Sequence, residues 1–179
     1  ELHQRARGGL AGQSRLVEAE RQRRGGGVAV LLDVVVHLRV GETERPFSSV
    51  KPAAVHAGNA GAVLSRLEGA GFRIVALRLR SLTRAEAEGF YHVHRERPFF
   101  ASLCAFMSSG PCVTMVLERE GAIAGQREIM RATHPAKAEP GTIRKDFAAS
   151  IERNAIHGSD APETAAFEIG YFFPGVELI

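Results

Sequence analysis

Apolar and polar positions fall into regular patterns from Arg45 onward. "RPFSSV" reads as a strand, stopped by Lys51-Pro52 because proline has no N–H to donate and drives the residue before it toward extended geometry. In "NAGAVLSRLEGAG", Val63, Leu64 and Leu67 recur at helical spacing and Gly71 closes the helix. "FRIVALRLRSL" alternates, which predicts a strand with Val75, Leu77 and Leu79 on one face and Arg78 and Arg80 on a wet one. Thr83 and Glu86 have capping-box spacing and open a helix to about Tyr91; "PFFASLCAFMS" predicts another, with Pro98 in its first turn.

"CVTMVLE" is β-rich, and "AIAGQREIMR" is helical again. Residues 133 to 153 hold a Thr-His-Pro turn, a Pro-Gly turn and the polar run Arg144, Lys145, Asp146; a connection that long inside a compact domain is usually functional. A short strand and a last helix follow, with His157 between the short apolar run and the helix start. That helix is expected to open on a second capping box, Asp160 with Glu163, to hold Pro162 in its first turn, and to carry Ala165, Ala166, Ile169 and Phe173 as its apolar stripe. The order predicts an α/β sandwich whose four-stranded, antiparallel, ferredoxin-like sheet is covered by helices.

Composition changes near residue 44. The first 27 residues are rich in Arg and Gly, and the Val-rich run Val28 to Val40 is interrupted by Asp33 and His37, too short for a membrane span. Residues 1–43 are therefore expected to be a disordered or loosely attached extension to a domain over 44–179. An Arg-rich targeting segment or an added edge strand remain alternatives, with Glu18 and Glu20 counting against a transit peptide. At 179 residues and 45% hydrophobic, the chain suits one globular domain. Its 23 Lys and Arg against 20 Asp and Glu make a mixed surface, which argues against a nucleic-acid partner. Cys104 and Cys112 lack metal-type spacing and read as reduced core thiols, and the expected location is cytoplasmic.

Candidate chemistry centres on "NAIHGSD". His157 stands ahead of a helix N-terminus, which disfavours a second positive charge and so favours a neutral, nucleophilic imidazole. If the ring took up a phosphoryl group, the same helix end and the Gly158-Ser159 amides would favour the new negative charge. A lone histidine there is more often a half-exposed surface side chain. The odds change with Lys51 at a strand end, Arg127 on a helix and Arg144 in the long loop, since phosphoryl transfer rests on positioning and cations. Neither a P-loop nor a dinucleotide glycine motif is present, so a nucleotide would be held another way.

"NAIHGSDAPETAAFEI" resembles the active-site signature of nucleoside diphosphate kinases, and the likeness continues upstream in order through "VKPAAV", "EGAGFRIVALRL", "FYHVHRERPFF", "FMSSGPCVTMVLE" and "ATHPAKAEPGTIRKDF". It covers about residues 44 to 176. The resemblance implies transfer of the terminal phosphoryl group of a nucleoside triphosphate to a nucleoside diphosphate, by ping-pong through a phosphohistidine on His157, with Glu168 orienting the ring. Lys51, Tyr91, Arg127, Thr133 and Arg144 correspond to the family's phosphate-binding groups, and Asn154 with Lys51 to its sugar contacts. Phe99 looks like the base-stacking residue, with Leu103 and Ile151 closing the other side. Stacking on a phenyl face tolerates any base.

The resemblance also implies Mg²⁺ carried on the nucleotide phosphates, and a homo-tetramer or homo-hexamer. His92 and His94 suggest no metal site and are expected at the surface. Ala53, Arg131 (a usual glycine), His134 (a usual asparagine), Lys145 and Ala161 (a usual serine) depart from the family pattern. A family-like binding or regulatory module with weak catalysis, or a protein-histidine phosphotransfer role, are the competing readings.

Overall fold

The computed structural model describes residues 43–178. Apart from Thr43, the predicted extension lies outside the described residues. The strands are β1 (Thr43–Glu44), β2 (Phe47–Val50), β3 (Arg73–Ser81), β4 (Pro111–Glu120) and β5 (Ile156–Gly158), all antiparallel. β4 pairs with β3 on one side and β2 on the other, and β2 pairs with β5. The two-residue β1 continues β2 along the same edge of β4, with Glu44 opposite Arg119 and Phe47 opposite Val116. The gap between them falls at Pro46, which has no N–H for the ladder. Across the sheet the order is β3-β4-β2-β5, the expected ferredoxin-like arrangement.

The helices are α1 (Pro52–His56), α2 (Ala60–Gly69), α3 (Arg84–Phe90), α4 (Phe100–Met107), α5 (Ala122–Met130), α6 (Ile143–Phe147) and α7 (Pro162–Phe172). Alternation along β2 and β4 divides the core between the two faces of the sheet. Phe47 and Val116 pack with Phe90, Tyr91, Met107, Ile169 and Phe172, while Val50, Met115 and Leu117 pack with Val63, Leu67, Met130 and Ile143. Burying a side chain such as Phe47 or Leu67 is worth about 1.5–3 kcal/mol. Cys104 and Cys112 are buried free thiols in the first cluster.

Local signals are read correctly where backbone hydrogen bonds decide them. Gly71, at φ +83°, ends α2: its N–H reaches the carbonyl of Glu68 while the Phe72 N–H reaches Leu67. Thr83 and Glu86 form the full capping box of α3.

Four expectations are corrected. A bulge at Val75 shifts the β3 register between Ile74 and Ala76, so Arg78 and Arg80 lie over the Phe173 and Phe172 rings at 5.9 and 5.1 Å, while Leu77 and Leu79 are 43% and 65% exposed. The N-cap of α7 is Ala161: its own N–H bonds Thr164 Oγ1 at 3.0 Å, and alanine offers no acceptor in return. Phe172, rather than Ala166, completes the buried stripe of that helix. Pro98 precedes the Phe99 cap and lies outside α4.

Candidate functional site

His157 lies on β5 with its ring among Phe47, Phe90 and Tyr91, at centroid distances of 6.0, 5.8 and 6.4 Å. Nε2 is 2.7 Å from Glu168 Oε1 on α7. The other oxygen of Glu168 accepts from Ser159 Oγ at 2.6 Å, and Ser159 Oγ in turn accepts the Phe47 N–H at 3.0 Å. The carboxylate is thus fixed from behind and holds the ring by Nε2–H, which leaves the lone pair on Nδ1. The His157 side chain keeps 25% exposure, so the ring borders open space.

Next to the ring the backbone is strained. Ala155 has φ +68°, and the Ile156 N–H closes on the Asn154 carbonyl at 2.9 Å, a γ-turn. The turn leaves the Ala155 carbonyl to accept the Lys51 N–H at 2.8 Å, tying the end of β2 to the start of β5. Asn154 is buried, with Nδ2 donating to the Ile151 carbonyl at 3.0 Å.

Gly158 is required by close approach. A Cβ there would stand 2.5 Å from Cδ of Gln126, a fully buried residue of α5.

The cations come from three elements. Lys51, the α1 cap, is 6% exposed and has no carboxylate partner among the described residues; burial, then the charge of Arg144, lowers its pKa to about 8. Arg144 donates to the carbonyls of Arg131 at 2.8 Å and Ile156 at 3.2 Å, and burial beside Arg127 shifts its pKa down. Arg127 is exposed on α5, in a surface depression of about 660 Å³ that Arg131 and Asp160 also line. Like charges this close raise the free energy of the protein alone and make the place receptive to an anion.

Tyr91 is buried, and desolvation with the nearby Glu168 charge pushes its phenol pKa well up, so the hydroxyl stays a donor. Tyr91 Oη, Arg144 Nε and Asn154 Oδ1 have no partner within the described protein. Unpaired polar atoms are rare in a folded core, and their clustering about His157 marks a site built for a polar guest.

Phe99, 45% exposed, and Ile151, 53% exposed, stand on segments tied by Ser102 Oγ bonding Glu152 at 3.3 Å. Leu103 is half-buried against the first core cluster, and Thr133 is exposed just past Arg131. Contrary to expectation, His94 belongs to the rim of the site: its ring lies 6.3 Å from Tyr91 and 5.6 Å from Phe99. The expectation assumed a helix, but His92–His94 is a tight 3-10 turn that folds His94 inward.

A family model described as nucleoside diphosphate kinase matches residues 44–178. The chain belongs to the nucleoside diphosphate kinase family. It is 60% identical over 136 residues to the nucleoside diphosphate kinase of Geotalea uraniireducens, covering 76% of this chain and 99% of that one. The Geobacter sulfurreducens nucleoside diphosphate kinase is 59% identical with the same coverage. Among solved structures, the Aquifex aeolicus nucleoside diphosphate kinase superposes with a TM-score of 0.75 at 46% identity, covering 76% of this chain and 99% of that chain. The Halobacterium salinarum nucleoside diphosphate kinase in complex with CDP gives 0.73 at 38% identity, covering 76% and 91%. As a member of the nucleoside diphosphate kinase family, the chain is a phosphotransferase of nucleotide metabolism.

The Ser159 hydroxyl, Gln126 and His94 are features beside His157 that sequence reasoning did not assign. Only Ser159 had a usable signal, its place in the His-Gly-Ser-Asp motif.

Among the described residues no helix is long and apolar enough to cross a membrane.

Proposed function

We propose that the enzyme works by ping-pong through His157. The Nδ1 lone pair attacks the terminal phosphorus of a nucleoside triphosphate, an N–P bond forms, and the diphosphate leaves with the electron pair of the broken P–O bond. A second diphosphate then attacks that phosphorus, and the pair returns to Nδ1. The observation that carries this reading is the Glu168 bond to Nε2, which leaves Nδ1 as the nucleophile. The Glu168 carboxylate accepts the bond from Nε2–H throughout, and no proton needs to be transferred.

In this reading Lys51, Arg127 and Arg144 balance charge on the transferred group, Tyr91 donates a hydrogen bond to it, and Thr133 lies at the same phosphates. Asn154 and Lys51 hold the sugar hydroxyls, and the base lies on Phe99 with Leu103 and Ile151 opposite. Mg²⁺ would be held by phosphate oxygens and water, since the side chains gathered here are mostly cations; it would neutralise phosphate charge. The reaction belongs to the cytoplasmic nucleotide pool. Leu77 and Leu79, exposed on an edge strand, support assembly as a homo-tetramer or homo-hexamer. Residues 44–179 are proposed to be the catalytic unit.

Incubation with γ-labelled ATP tests the mechanism. Acid-labile, base-stable label on His157, removed by added nucleoside diphosphate, is expected; absence of that label, or label that diphosphate does not discharge, overturns it.

A further inference from the structure

Four residues form one transverse row across the sheet. Arg78 on β3 stands opposite Thr114 on β4, Thr114 opposite Ser49 on β2, and Ser49 opposite His157 on β5. Directly opposed residues of antiparallel strands send their side chains to the same face, with Cβ atoms about 4.5–5.5 Å apart. The Ser49 hydroxyl therefore stands beside the His157 imidazole, on the face that carries Phe47 and that α7 covers with Glu168. Lys51, two residues on, lies on the same side of the strand.

The hydroxyls near this row are employed differently. Thr114 Oγ1 donates to the Arg78 carbonyl at 3.4 Å, and Ser48 Oγ donates to the His157 carbonyl at 2.8 Å. Ser49 is 2% exposed, and its Oγ has no partner in the described protein. A buried hydroxyl in that condition is less favourable than a methyl group of the same size. Its presence next to the reacting imidazole calls for an acceptor that arrives during turnover.

We propose that Ser49 is a further catalytic residue, whose hydroxyl donates a hydrogen bond to the phosphoryl group while His157 carries it. This rests on His157 being the carrier. When the N–P bond forms, the group brings its negative oxygens to Nδ1, and Ser49 has an O–H with no competing acceptor. The proton stays on Ser49 throughout, and no bond to Oγ is made or broken. Lys51 neutralises charge on the same group, and Ser49 adds a directed bond from the sheet side.

The test uses the full chain and three variants, Ser49→Ala, Ser49→Thr and Ser49→Cys. At a fixed ATP to ADP ratio, the equilibrium fraction of labelled His157 measures how well the site holds the phosphoryl group. Loss of a hydrogen bond to a charged acceptor is expected to shift that equilibrium about tenfold toward the free enzyme in Ser49→Ala. Ser49→Thr, which keeps the hydroxyl, is expected to stay near the starting protein. The unphosphorylated Ser49→Ala protein should melt no lower than the starting protein, because the hydroxyl it loses bonds nothing there; a structural serine would show the reverse. An unchanged labelling equilibrium in Ser49→Ala overturns the proposal. Should that variant fail to fold, Ser49→Cys is read instead, a weak donor expected to lose part of the effect; equality with the starting protein is then the refuting result. If the starting protein takes no label on His157, the carrier reading fails first, which separates the two outcomes.

Discussion

The Arg131 carbonyl accepts a 2.8 Å hydrogen bond from the Arg144 guanidinium, and Arg131 reaches that orientation at φ 59°, ψ −157°. This backbone region is almost reserved for glycine, and a side chain there costs about 1–3 kcal/mol. The strain lies between α5 and the long loop and helps aim the Arg144 guanidinium, which is proposed to bind phosphate. The Arg131 side chain is partly compensated by its 3.2 Å ion pair with Glu139, although both partners are largely exposed.

Arg131→Gly is therefore expected to stabilise the protein by about 1 kcal/mol, after allowing for the extra freedom of glycine in the unfolded chain. Arg131→Ala keeps the strain and loses the ion pair, so it should show no gain. Urea denaturation of the three proteins decides it; a loss of stability in Arg131→Gly would show that the backbone is not the source of the cost.

The α7 cap offers a second gain. Ala161 is extended at φ −152°, ψ 161°, in N-cap geometry, but supplies no side-chain acceptor. Ala161→Ser should add one for the N–H groups of the first turn and raise stability by about 1 kcal/mol. Thermal melting checks it, with an unchanged midpoint as the contrary result.

Lys51 sets a pH dependence. Its folded pKa of about 8 lies below the ordinary 10.5 that the unfolded chain would show. Between these values the unfolded state holds the proton and the folded state does not, so this contribution to stability rises with pH across that window. Below about pH 8 the fold bears the whole penalty of the buried cation, roughly 3 kcal/mol. Lys51→Met should stabilise the fold at pH 7, abolish phosphoryl transfer, and lose its stability advantage by about pH 10.5. Denaturation at several pH values measures this, and a constant difference between the two proteins would contradict it.

Removing Glu168 frees the ring to rotate and leaves the Ser159 hydroxyl only the Phe47 carbonyl, 3.3 Å away, as acceptor. Glu168→Ala should slow phosphorylation of His157 about a hundredfold, the scale of a misplacement of about 1 Å. Ser159→Ala, one step further from the ring, should cost less. Rapid-quench labelling gives both rates; equal rates in all three proteins would remove Glu168 from the mechanism.

Phe99→Ala should weaken nucleotide binding by about 1–3 kcal/mol for every base tested. Because Phe99 is 45% exposed, the melting temperature should hardly change. A loss confined to one base would argue against stacking.

Sequence alone determined the family and the order of the four main strands and the longer helices between them; the short helices α1 and α6 and the two-residue β1 were not read from it. Turn and cap residues act through local backbone geometry, so Gly71 and the Thr83–Glu86 box could be read directly. The contiguous His-Gly-Ser-Asp motif carried the family's signature on adjacent residues. Tertiary structure decided what depends on partners distant in the chain. Leu77 and Leu79 alternate as a core face would, yet a bulge at Val75 leaves them exposed and sets Arg78 and Arg80 over the Phe173 and Phe172 rings. Ser49 looks like any strand serine until pairing sets it beside His157, 108 positions away by number. His94 reads as surface until a 3-10 turn folds it against Phe99. The division follows from range: dihedral preferences and capping bonds act within a few residues, whereas burial and hydrogen-bond satisfaction are settled only when strands and helices meet.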